Sequence, residues 1–229
     1  MKLSINKMNP KISRNKVYNG FTLLELIVAT TIVAMTTAWT IPEFQRNSAQ
    51  AKVDRYTKNL ESGLFSIRAR MGAIKESCEI NFYQDVNGAL KDPSFSTEKY
   101  YAPSDLIEMK QDDGSSRADH ALAGCINEVR AKDINQELRA ESIRMVNMEG
   151  TRERDAVVVR SMAKTFSFTP PGTTANDNDM TILIRSVEAL KPWATKTNGS
   201  SRLVTRCIEV TGNGQIFSGK WISDQCLEN

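Results

Sequence analysis

Asn19-Gly20-Phe21-Thr22-Leu23-Leu24-Glu25-Leu26-Ile27-Val28-Ala29 opens an apolar run that continues through small and aliphatic residues to Ile41 and stops at Pro42. Between Phe21 and Ile41 the one formal charge is Glu25. As a helix rising about 1.5 Å per residue, the run is just long enough to cross a hydrocarbon layer of roughly 30 Å. The sequence therefore predicts a transmembrane helix over residues 21–41. Ahead of it stand Lys2, Lys7, Lys11, Arg14 and Lys16 with no acid among them. The positive-inside bias then places the amino-terminal end in the cytoplasm and everything after Pro42 outside.

A secretory signal peptide carries its small cleavage residues after the apolar run. Here the candidate junction, Gly20-Phe21, precedes the run, so processing there keeps the hydrophobic helix. This arrangement, G-F-T-L-L-E ahead of an apolar helix, resembles the class III leader of type IV prepilins and type II secretion pseudopilins. The resemblance implies that residues 1–20 are a leader removed by a membrane prepilin peptidase after Gly20. It also implies that Phe21 becomes the N-methylated terminus and that Glu25 pairs with a neighbouring subunit's terminal amine during assembly. A lone carboxylate about one turn into a membrane helix is costly without a partner or water, which suits that role. The plainer alternative is a signal anchor with a glutamate near its interfacial end. Pro42 falls where many pilins carry a proline, and its missing N–H predicts a kink there.

Without the leader, 209 of the 229 residues remain. After the membrane helix and its extension over 42–77, a globular head over 78–229 is large enough for a core of its own. The net charge of +3 becomes −2 once the leader's five bases are removed, leaving 25 basic against 27 acidic residues. The overall basicity therefore carries no argument for nucleic acid. Cys78, Cys125, Cys207 and Cys226 all fall on the exported side, where disulfides form. Four cysteines allow three pairings. Cys207 with Cys226 is favoured because it closes a short carboxy-terminal loop, and Cys78 with Cys125 because it ties a long insertion to the helix end; free buried thiols are the alternative. No zinc spacing is present.

Beyond the span, Val53, Tyr56, Leu60, Leu64, Ile67, Met71 and Ile74 recur every three or four residues, opposite Lys52, Asp54, Arg55, Lys58, Glu61, Arg68 and Arg70. This is one apolar stripe on a helix, and it needs a covering surface. A first strand is expected near 79–83. An insertion over about 85–150 holds turn-rich pieces and one or two helices between Arg117 and Met148. Asp112, Asp113 and His120 within it read as solvated loop residues rather than a metal or catalytic site, which needs a nucleophile, base and orienter. Strand patterns return at 155–160, 164–169, 180–185, 203–210 and 215–218, the last two joined by Thr211-Gly212-Asn213-Gly214. An antiparallel sheet of four to six strands should cover the helix stripe.

Phe168-Thr169-Pro170-Pro171-Gly172, Met180-Thr181-Ile182-Leu183-Ile184 and Arg206 through Ile216 resemble the strands and final hairpin of GspH/FimT-like minor pseudopilins. The class thus implied is α+β, a long N-terminal transmembrane helix packed on the antiparallel sheet of a C-terminal head. One departure is plain: relatives often carry Gly-Arg in the final hairpin, and here Gly214 is followed by Gln215. The expected function is that of a minor pilin or pseudopilin at or near the tip of a filament. Its partners would be other pilins through the N-terminal helix, the prepilin peptidase and the inner-membrane assembly platform. The alternative is a tip pilin that binds DNA or a surface, with Lys196, Arg202, Arg206, Lys220 and Trp221 as the candidate patch. An anchored enzyme has no motif behind it, and no cofactor is expected. The expected location is the bacterial inner membrane, single-pass with the head periplasmic, and then the assembled filament at the cell surface.

Overall fold

The apolar run and the stripe behind it form one helix, α1 (Leu23–Ile74), with Pro42 inside it. The computed structural model describes residues 20–82, 96–107, 121–122, 125, 144–146, 153–170, 173–174, 179–196 and 201–228. Residues 1–19, the turn-rich pieces over 83–95 and 108–120 with Asp112, Asp113 and His120, and most of the helix expected between Arg117 and Met148 lie outside these. The chain divides into two compact units, Met1–Ile41 and Pro42–Asn229.

In the first unit no side chain of the most apolar stretch is buried within the chain, and Phe21, Leu23 and Met35 are more than two-thirds exposed. Its hydroxyls do not demand water. Thr30, Thr31, Thr36, Thr37 and Thr40 each donate to a backbone carbonyl three or four residues earlier. Such back-bonding lets a threonine sit on a surface that faces lipid.

The second unit is built around the stripe. Val53, Tyr56, Leu60, Leu64, Ile67 and Met71 are essentially inaccessible to solvent. Gly63 lies on the same face and is a close approach: a Cβ there would stand 1.9 Å from the Met145 carbonyl oxygen. α1 ends as Lys75 turns to φ 57° and the Glu76 N–H reaches back to the Met71 carbonyl at 3.4 Å. That is a Schellman closure with lysine where glycine is usual.

Among the described residues eight strands follow: β1 (Cys78–Asn81), β2 (Val157–Ser161), β3 (Thr165–Thr169), β4 (Thr173–Thr174), β5 (Met180–Ser186), β6 (Arg206–Val210), β7 (Ile216–Ile222) and β8 (Gln225–Glu228). A single-turn helix, α2 (Pro103–Leu106), lies between β1 and β2. All strand pairings are antiparallel, but they make two sheets rather than one: β1-β3-β4 and β2-β5-β6-β7-β8. β5 is flanked by β2 and β6, and the outer edge of β2 is met at Val159 by Tyr101, while β3 pairs β1 in register Cys78 with Phe168 and Ile80 with Phe166. Both sheets turn apolar residues onto the stripe. Ile80, Phe166 and Phe168 from one, and Val159, Ile182, Ile184, Ile208 and Val210 from the other, share its core.

A second difference lies at the carboxyl end. The hairpin of β6 and β7 is not the last, because Ser223 and Asp224 both take positive φ (51° and 59°) and return the chain as β8. Sulfur bridges join Cys78 to Cys125 and Cys207 to Cys226. The second links β6 to β8 across the intervening β7. There Gly219 stands opposite Cys207, and a Cβ on it would fall 2.1 Å from the Leu227 carbonyl oxygen.

Candidate functional site

Gly20, Phe21 and Thr22 precede the first helical residue as exposed, non-helical chain. Nothing lies within 4 Å of the position where a Gly20 Cβ would be, and Phe21 is 87% exposed. An open, non-helical segment is more accessible to other proteins than a helix.

Glu25 is not a bare carboxylate. Thr22 is the residue before the helix and Glu25 its third position, and the two cap each other. The Glu25 N–H donates to Thr22 Oγ1 at 3.2 Å, while Glu25 Oε2 accepts from the Thr22 N–H and hydroxyl, each at 3.0 Å. This is a reciprocal capping box, which satisfies two otherwise orphaned backbone donors. It also fixes the carboxylate at the helix N-terminus, where the helix dipole favours negative charge. Sequence reasoning passed over Thr22, although the spacing Thr-x-x-Glu was there to be read.

The five candidate patch residues occupy different settings. Arg206 is drawn into the head: its Nε donates to Asp54 Oδ1 on α1 at 2.7 Å, and Gln50 Nε2 donates to the same oxygen at 2.9 Å. Burial alone would raise the Asp54 carboxyl. The hydrogen bonds from Arg206 and Gln50, with the charges of Arg206 and Lys220, outweigh it and hold the group below the ordinary aspartate range. Lys220 stands opposite Arg206 in register, and strand alternation puts Trp221 on the other face of the sheet. Lys196 and Arg202 are exposed residues outside the strands. Elsewhere, Arg185 lies 3.8 Å over the Tyr100 ring, an arrangement with no sequence signal. Among the described residues there is no group of three or more His, Cys, Asp or Glu that could hold a metal ion.

No curated protein and no solved structure matches the chain. Residues 15–41 match the family described as the prokaryotic N-terminal methylation motif, and Gly20, Phe21, Thr22 and Glu25 all fall within them. The match covers 27 residues and runs directly into the long apolar helix α1.

Proposed function

We propose that the chain is a minor type IV pilin or pseudopilin subunit. It is cut after Gly20 by prepilin peptidase, N-methylated on Phe21 and incorporated at or near a filament tip, where it supports assembly. The observation that carries this reading is the methylation motif over residues 15–41, joined to an apolar helix with no buried side chain along its most apolar stretch. Such a surface needs lipid before assembly and other helices after it. The residues before α1 remain cytoplasmic, and the head with its two bridged cysteine pairs faces the oxidising side. Glu25 serves assembly by meeting the free amine of a neighbouring Phe21, an ion pair that a desolvated carboxylate favours.

Mass spectrometry of the amino-terminal peptide tests the proposal, in cells with and without prepilin peptidase. A peptide beginning at methylated Phe21 that depends on the peptidase is expected, and Glu25→Ala should retain cleavage while the subunit fails to enter filaments. An intact leader, or a terminus beyond Ile41, would discard the reading in favour of a plain anchor or a secreted protein.

A further inference from the structure

The head carries a small face beside the first turns of α1 in its own unit. Ala49, Ala189, Ala194 and Leu203 form a buried cluster apart from the main core, with Trp193 packed on it. Gln50 clasps the same region: its side-chain oxygen accepts from the Val204 N–H at 2.9 Å, and its Nε2 donates to the Val204 carbonyl at 3.4 Å. Residues 187–196 and 201–204 are thereby fixed at the level of Ala49 and Gln50. From Pro42 to Gln50 is about 12 Å of helix. Ala49 and Gln50, to which the face is fixed, therefore stand only about two turns of helix after Pro42, the first residue of this unit. Beyond the hydrocarbon core the headgroup layer is about 5–7 Å deep, and the field of a charged surface persists for about 8 Å more at physiological salt.

The charge left over on this face is positive. Its acids Glu43 and Glu188 are each engaged locally, with Arg46 at 2.7 Å and with Lys191 at 2.7 Å. Lys196 and Arg202 are exposed, and neither makes an ion pair among the described residues. Val187 and Val204 add apolar surface, 48% and 37% exposed. Trp39, 85% exposed near the end of the apolar run, is the kind of residue that settles at a bilayer interface.

We propose that this face rests on the anionic phospholipid headgroups of the membrane while the subunit waits for assembly, with Lys196 and Arg202 contacting phosphate. The inference rests on the membrane-anchored reading above. It assigns two of the candidate patch cations to lipid rather than to an external ligand.

Two single-tryptophan forms of the full chain test it in nanodiscs containing a headgroup-labelled quencher lipid. One keeps Trp193 (Trp39→Phe, Trp221→Phe) and the other keeps Trp39 (Trp193→Phe, Trp221→Phe). The discs are phosphatidylcholine alone or with one third phosphatidylglycerol. Trp39 should be quenched in both. Trp193 should be quenched only in the anionic discs, and the effect should vanish at about 1 M salt. Lys196→Glu with Arg202→Glu should lower the ratio of docked to undocked heads by more than about 25-fold, since losing each base at an anionic surface costs about five-fold and each new carboxylate is repelled in addition. The exchange Lys196→Arg with Arg202→Lys should retain docking. Unchanged Trp193 emission in detergent verifies that the charge-reversed head is folded. Trp193 quenching indifferent to lipid charge and to charge reversal, with Trp39 still quenched, would overturn this proposal alone. Trp39 unquenched in both discs would overturn the membrane span and this proposal with it.

Discussion

Asp54 and Glu209 are carboxylates on the same head whose environments push them in opposite directions, so acid should read them separately. Asp54 is held below the usual range by Arg206 and Gln50 despite its burial. Its stabilising contribution is therefore complete above the unfolded aspartate value, near pH 4, and disappears as pH falls through the lower folded value. Asp54→Asn should reduce stability at neutral pH by about 0.5–1 kcal/mol, a modest figure because the pair is partly open to solvent. Urea titrations of the two chains should converge in strong acid. Glu209 is raised, first by burial and then by the charge of Asp179. Ionising it works against folding, so Glu209→Gln should stabilise the head at neutral pH. That gain should shrink as pH falls through the raised folded value and vanish below the unfolded one. Equal slopes for the two variants over acidic pH would contradict both assignments.

Elements fail where backbone approaches backbone. Gly63 lets the segment at 144–146 lie directly on α1, and its Cβ would overlap the Met145 carbonyl. Gly63→Ala should cost about 1–3 kcal/mol through overpacking, read as an earlier urea midpoint at unchanged slope, although alanine is the better helix former. The turn between β7 and β8 makes the opposite case, since Ser223 and Asp224 hold positive φ that Asn-Gly adopts readily. Ser223→Asn with Asp224→Gly should stabilise by about 1 kcal/mol, the scale of the left-handed penalty. These sites also explain what was legible in the sequence. The stripe from Val53 to Met71 was readable because one helix face repeats at 3.6 residues, and Thr211 to Gly214 because turn residues stand between two β patterns. Ser223-Asp224 lacks that chemistry, so β8 left no mark. The partition into two sheets was illegible for a different reason: β3 pairs the distant β1 rather than the neighbouring β2, whose outer edge meets Tyr101, a fact of tertiary structure rather than of local pattern. At the candidate site the Glu25 spacing was readable, whereas the capture of Arg206 by Asp54 joins residues 152 apart and no local signal foretells it.

For the molecule as a whole, the break at Pro42 separates two physical problems. Residues 21–41 carry an apolar surface that no described residue of their own unit covers, whereas the unit from Pro42 onward holds the stripe, both sheets and both sulfur bridges. Proline is well suited to the first position of a helix, where its missing N–H has no partner to lose. A chain begun at Pro42 should therefore fold alone and dissolve without detergent, while the full chain should require detergent for extraction. Its stability should lean on the bridges. In the loop-entropy account, the separations of 47 and 19 residues correspond to about 4 and about 3 kcal/mol. Each is a large share of the 5–15 kcal/mol typical of a domain. Reduction of the Pro42 chain should then advance its unfolding midpoint in urea strongly, and Cys78→Ser with Cys125→Ser should do so more than Cys207→Ser with Cys226→Ser. The ranking follows from loop length because the shorter bridge only secures β8 at the sheet edge, whereas the longer one joins β1 to the distant Cys125, which packs into the main core with Ala121 and Leu122. If the Pro42 chain aggregated with both bridges intact, the stripe and sheets would not suffice as a core, and the division at Pro42 would not mark an independently folding head.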